Sequence, residues 1–253
     1  MPFERAKCML KRVADAGARD FVFAGGDPFI RRDIRLLVEV AKSLGLNVEI
    51  QTNCERIPPD IQDWIKQVDL FGLSLDGASP IVHDMMRMKK GNYSKVLKMA
   101  DFLEKHQVNY IVRTVVSRPN FHNVVNIGAL LRGRRNLIRW SLLEFSSIGE
   151  GARNADVYEL QHREYLSIVE AARRAFSAEV DIDAYHGELK KRVYFLIRSD
   201  GEVYTTGVPQ ADGTYPTVGS IFEIEVSALL ERLDVKFDAH ENRYAHLMAR
   251  PTA

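Results

Sequence analysis

Apolar and polar positions follow two rhythms along this chain, one helical and one strand-like, and the two take turns. Phe3, Ala6, Leu10 and Val13 recur at helical spacing, and Gly17 follows as a terminator. Phe21 to Ala24 is a short unbroken apolar run, which predicts a strand buried on both faces as in a parallel sheet. Ile34 to Leu44 is helical again and ends at Gly45. Val48 to Gln51 is the next strand, and Asp60 to Val68 the next helix, entered through Pro58 and Pro59. The alternation continues with a strand over Leu70 to Leu75, a helix over Tyr93 to His106 and a strand over Tyr110 to Val116. A helix over Asn123 to Leu131, a strand over Leu137 to Phe145 and a helix near Arg163 to Phe176 complete it.

Units of about 30 residues that alternate strand and helix imply right-handed crossovers and a parallel sheet or barrel. After about residue 178 the style changes. Val193 to Arg198 and Glu202 to Thr206 flank Ser-Asp-Gly, a hairpin signal. The division expected is therefore a core over 1–177 and a small α+β extension over 178–253. The series opens on a helix rather than a strand, which leaves an exposed sheet edge beside residues 3–15: either the first strand of the series is missing, or something else covers this edge.

Composition narrows the function classes. The chain of 253 residues carries a formal net charge of +1 with signs interspersed, and 46% of its residues are hydrophobic. Nothing here favours nucleic acid or an anionic membrane as partner. No run approaches the roughly 20 apolar residues of a membrane span, and the start, MPFERAKCML, lacks the order of a signal peptide, so the cytoplasm is the expected location. The two cysteines, Cys8 and Cys54, form neither a disulfide framework nor a Cys-rich metal site. His240 and His246 are six positions apart, off the helical i, i+4 face of a paired site. No metal ligand is assigned.

Candidate chemistry gathers where ligands gather in parallel α/β folds, at the C-terminal strand ends. These carry Gly25-Gly26-Asp27-Pro28, Thr52-Asn53-Cys54, Ser74-Leu75-Asp76-Gly77 and Arg113-Thr114. Bare glycine backbone lets a ligand approach closely, and Asp27 can receive a cationic group. Gly-Gly-Asp-Pro is equally a strand-to-helix turn with a capping acid; Ser74 and Asp76 are equally turn or cap residues. Arg87, on a predicted surface, is more often solvated.

In order and spacing, these stretches resemble the radical S-adenosylmethionine (radical SAM) superfamily, and within it the peptide-modifying and cofactor-maturing branch. "AGGDPFIRRDI" is similar to the family's Gly-Gly-Glu-Pro motif, with Asp for Glu. "IQTNC" resembles its Thr-Asn-Gly strand end, "GLSLDGASPIVHDMMRMKKGNYSKVL" its Ser-Leu-Asp-Gly segment and His-Asp-x-x-Arg, and "LLEFSSIGEGARN" its sixth strand and following turn. The resemblance covers about residues 3–155 and implies a partial (β/α)6 TIM-like barrel with parallel strands. It implies that Gly25, Gly26 and Asp27, with Pro28, hold the amino group of SAM. By the same resemblance Ser74 and Arg87 meet the carboxylate or ribose of SAM, and Thr52, Asn53, Asp76 and Arg113 line the pocket. It implies an enzyme that cleaves SAM reductively to a 5′-deoxyadenosyl radical for hydrogen abstraction from a peptide or small molecule, with flavodoxin or ferredoxin as electron donor.

One departure is large. The family's Cys-x-x-x-Cys-x-x-Cys loop, which holds three irons of a [4Fe–4S] cluster while SAM chelates the fourth, has no counterpart here. In the family both that loop and the first strand precede the stretch where this chain opens, so the expectation is a truncated form without cluster ligands of its own. A cluster-less, SAM-binding relative is the alternative. A phosphate-binding barrel enzyme is a third class, disfavoured because Asp27 would repel phosphate. The stretch "YFLIRSDGEVYTTGVPQADGTYPTVGSIFE" carries no cysteine, so an auxiliary cluster is not expected there.

Overall fold

A computed structural model describes residues 1–186, 192–210 and 213–235. Its first half runs α1 (Phe3–Asp15), β1 (Asp20–Phe23), α2 (Ile34–Ser43), β2 (Asn47–Thr52), α3 (Ile61–Trp64), β3 (Leu70–Ser74), α4 (Pro80–Arg87), α5 (Asn92–His106) and β4 (Tyr110–Val116). Its second half runs α6 (Val124–Leu131), β5 (Leu137–Glu144), α7 (Ala155–Tyr158), α8 (His162–Phe176), β6 (Ile182–Tyr185), β7 (Leu196–Ile197), β8 (Glu202–Tyr204), β9 (Thr217–Ser220) and α9 (Val226–Leu233). His240 and His246 lie outside the described residues. Among those described, no helix is long and apolar enough to cross a membrane.

Strands β1 to β6 form one sheet in sequential order, and every pairing from β2 to β6 is parallel. This is the parallel sheet that the alternating pattern implied, in the partial (β/α)6 arrangement that the resemblance implied. Two elements differ from expectation. Phe21 to Ala24 is not buried on both faces: β1 stands at the sheet edge, where one neighbour is absent, and Val22 is 39% exposed. The sheet also gains a sixth strand, β6, from the region assigned to the C-terminal extension. Its four residues, Ile-Asp-Ala-Tyr, are too short and too mixed to announce a strand.

The chain divides into two compact units. One comprises Met1–Val22, Arg31–Val48 and Gly187–Ala253. In it α1 buries Ala6, Met9, Leu10 and Val13, the stripe that its periodicity predicts. The Arg12 guanidinium donates to the Ile224 carbonyl at 3.0 Å, and Arg5 stacks over the Phe222 ring at 4.2 Å. These contacts tie α1 to the segment after the small antiparallel sheet β7-β8-β9, whose first two strands are the expected hairpin.

The other unit comprises Phe23–Ile30 and Glu49–His186. Parallel register sorts its strand residues into two kinds of row. Thr52, Leu73, Val112, Trp140 and Ile182 are successive partners across five strands, and all are buried. Buried stripes on α5 (Val96, Met99, Leu103) and α8 (Tyr165, Ile168, Val169) supply the apolar surface that such a face needs. The alternating row, Ser74, Arg113, Ser141 and Asp183, is polar throughout. A row of hydroxyls and charges near the strand ends offers groups for chemistry that an apolar row does not.

Candidate functional site

The carboxylate of Asp27 is the first knot of the site. It is 7% exposed, and its Oδ1 accepts the Phe29 N–H at 2.9 Å, which caps the 3₁₀ turn Pro28–Ile30. Its Oδ2 accepts the Thr52 hydroxyl at 2.9 Å and the Asn53 N–H at 3.0 Å, so the ends of β1 and β2 are tied by one side chain. The capping role weighed for this acid is therefore real, and it does not stand alone. Ahead of Asp27, Gly25 has φ +109°, a conformation that L side chains rarely adopt. Both Gly25 and Gly26 are exposed, and no atom lies within 4 Å of where a Cβ would stand. The turn is open on its outer side and fixed on its inner side.

A second knot lies at the end of β3. Asp76 is 3% exposed; its Oδ1 accepts the Val115 N–H at 2.8 Å and its Oδ2 pairs with the Arg87 guanidinium at 2.7 Å. Arg87 is thus not a solvated surface residue: its side chain is 26% exposed, and its Nε is buried without a hydrogen-bond partner. The Asp76 N–H donates to His83 Nδ1 at 3.0 Å, which leaves the ring proton on Nε2, 2.7 Å from Asn92 Oδ1. Burial pushes the His83 pKa below its ordinary value, and the ring is neutral. The Asn92 amide then donates to the Asn53 carbonyl at 2.9 Å, joining the second knot to the first. Sequence reasoning named neither His83 nor Asn92 as site residues, although both sit inside a quoted motif.

Ser74 and Arg113 are partners on the polar face. Arg113 Nη1 lies 2.8 Å from Glu49 Oε1, and Glu49 is fully buried. Gly72 makes room for this pair, since a Cβ there would collide with the guanidinium. The structure thus joins Asp27, Pro28, Thr52 and Asn53 directly and Asp76 with Arg87 through His83 and Asn92, while Arg113 and Ser74 belong to the sheet face. A charged residue in mid-strand was the available signal for Glu49.

Strand ends knotted in this order, behind an open Gly-Gly turn, can be set beside known proteins. The radical SAM superfamily model matches residues 1–129. The chain belongs to the radical SAM superfamily. An AdoMet-dependent heme synthase of Nitratidesulfovibrio vulgaris is 26% identical over 155 residues, which are 60% of this chain and 42% of that protein. An S-adenosylmethionine-dependent nucleotide dehydratase of Lacinutrix mariniflava is 24% identical over an aligned length of 255, gaps included, which covers 96% of this chain and 50% of the other. Streptococcus suis SuiB bound to S-adenosylmethionine shares the fold, with a TM-score of 0.69 at 13% identity over 96% of this chain and 60% of SuiB. The chain spans about half the length of the curated relatives it matches.

Radical SAM motifs gain physical content from the geometry. Cys54, at the position where the family places glycine, has φ +60°, in the left-handed region that explains that preference. The cluster, by contrast, does not fit the cysteines present. Cys54 is 1% exposed, and burial, aided by the nearby Asp27 charge, raises its thiol far above the ordinary value, so the thiolate that binds iron is suppressed. Cys8 is exposed on α1. One thiol per chain should therefore react with an aromatic disulfide reagent in the folded protein, and two after denaturation. Cys8→Ser should abolish the fast reaction; a fast equivalent surviving in that variant would show that Cys54 is accessible.

Proposed function

We propose that this radical SAM chain provides the SAM-binding part of an enzyme that acts on a peptide or small-molecule substrate. The observation that carries the proposal is the exposed Gly25–Gly26 turn, open outward and anchored inward by a buried acid. SAM presents an ammonium, a carboxylate and a sulfonium. The turn backbone offers close approach to the ammonium beside the Asp27 charge. Arg87 retains an unpartnered N–H for the carboxylate or a ribose hydroxyl, and Ser74 presents a hydroxyl on the polar face. Asp27 serves chiefly to hold the turn, because its oxygens already accept three bonds.

In this family SAM bound to a reduced [4Fe–4S] cluster supplies the 5′-deoxyadenosyl radical. Neither cysteine here suits that cluster, and the part assigned to this chain ends at binding and orienting SAM. A flavodoxin or ferredoxin would be the electron donor of an enzyme complete with its cluster. The range of relatives, from a nucleotide dehydratase to SuiB solved with its precursor peptide, supports a substrate class no narrower than peptide or small molecule.

Gly26→Val tests the proposal. Gly26 has no positive φ and open space where a side chain would stand, so valine should leave folding intact. If SAM lies against this turn, the side chain fills its place, and the loss of a charge-assisted contact worth about 1.5–3 kcal/mol weakens binding at least about tenfold. Calorimetry on parent and variant reads this directly. Equal affinity, or no saturable SAM binding by the parent chain, would remove the turn from the site.

A further inference from the structure

Glu144 closes β5, His162 opens α8, and His186 follows directly on β6. Because β5 and β6 pair in parallel, all three stand at the strand-end rim that also carries Asp27 and Asp76. One ligand atom from each lies within 4.8 Å of the other two. His162 Nδ1 is 2.7 Å from Glu144 Oε1, and the His162 and His186 rings meet edge to face with centroids 5.0 Å apart. The spacing is held from beneath. Tyr165 is fully buried, stacks under the His162 ring, donates its hydroxyl to the Leu142 carbonyl at 2.8 Å and accepts the Tyr185 N–H at 2.8 Å. One residue thus fixes the ends of both strands and the start of the helix.

We propose that Glu144, His162 and His186 form a site for a divalent transition-metal ion, separate from the SAM-binding residues and independent of their function. Two imidazoles and one carboxylate are the donor set that zinc, cobalt(II) and iron(II) accept, whereas magnesium and calcium prefer oxygen alone. Around an ion with bonds of about 2.0–2.2 Å, tetrahedral ligand atoms stand roughly 3.3–3.6 Å apart. The close Glu144–His162 contact would open by less than about 1 Å and the wider separations would close, which side-chain rotation can supply. Binding through Nδ1 replaces the hydrogen bond between the two residues: a neutral ring keeps its one proton on Nε2, and only a doubly protonated ring loses a proton to solvent. Three protein ligands leave the fourth position for water or an oxygen of a substrate at the same rim.

Cobalt(II) is the probe, added to the chelator-treated 253-residue chain. The expected result is one equivalent bound with the visible absorption of four-coordinate cobalt, displaced by zinc. His162→Ala and His186→Ala should each weaken binding by about 100-fold or more, the upper end of losses seen even for groups that only support metal ligands. Glu144→Gln, nearly isosteric, should lose at least about tenfold while circular dichroism stays unchanged. Cys8→Ser should bind as the parent does, which separates this site from the exposed thiol. Binding weaker than about 1 mM, or affinity unchanged in both histidine variants, would overturn the proposal.

Discussion

Anaerobic reconstitution of the 253-residue chain with iron and sulfide is expected to yield no [4Fe–4S] cluster, and SAM with dithionite is expected to yield no 5′-deoxyadenosine. Stoichiometry limits the cluster before structure does. The family's cluster takes three thiolates from one short loop, and this chain has two cysteines, one in the first helix and one at a strand end. Cys54 is sealed beside the Asp27–Thr52 bond, with its thiol held protonated by burial. A cluster on Cys8 alone would lack most of its ligands and be labile. The positive control is the same chain joined, ahead of residue 1, to a strand and loop carrying Cys-x-x-x-Cys-x-x-Cys. That form should show the cluster's visible absorption and release 5′-deoxyadenosine, an all-or-none contrast. Product from the 253-residue chain would sink the argument. A fused form that holds the cluster but leaves SAM intact would place the fault in the SAM-binding residues instead.

Arg113→Met should be among the most destabilising single changes in the barrel, at about 3–5 kcal/mol. Glu49 is fully buried, and its pairing with Arg113 at 2.8 Å is not supplemented by a well-aligned hydrogen bond to either carboxylate oxygen. Taking the arginine away strands a fully buried carboxylate without its ion partner, which is the costly half of a buried pair. Replacing both members is a different experiment. Glu49→Leu with Arg113→Met removes both desolvation costs, and the double variant should lie within about 1–2 kcal/mol of the parent, or above it. Urea titration of the four proteins gives the coupling energy, expected to exceed about 2 kcal/mol. A cost below about 1 kcal/mol for Arg113→Met would mean that the pair does not organise the sheet. Gly72→Ala offers an orthogonal check, because its Cβ pushes the same guanidinium aside while both charges remain.

A pair expected to add little net stability has another use, and the polar row points to it. Arg113 lies in register with Ser74, Ser141 and Asp183, in a row of polar residues across four strands. Glu49 fixes the guanidinium from below, and Gly72 leaves it room. Rigid positioning of a charge is worth more to a binding surface than to the stability of the sheet.

How far the sequence alone reached can be judged residue by residue. The alternation of strand and helix was legible because periodicity is local: Phe3, Ala6, Leu10 and Val13 mark a helix face wherever the helix ends up. So was the Gly-Gly turn, because Gly25 answers a demand of its own backbone angles. Cys54 stood out against a motif that prefers glycine, and its positive φ gives the reason. Tertiary structure decided everything that depends on a distant neighbour. The apolar run at Phe21 could not announce that β1 would be an edge, since edges are set by which strands pair. Arg87 read as solvated because its partner, Asp76, lies eleven positions back, across a turn. Glu144, His162 and His186 are spread over 42 positions with only Glu144 inside a quoted motif, and only parallel pairing of β5 with β6 beneath α8 brings them together. Local pattern determines which backbone forms, whereas burial and charge pairing arise from register, and register exists only once the strands have met.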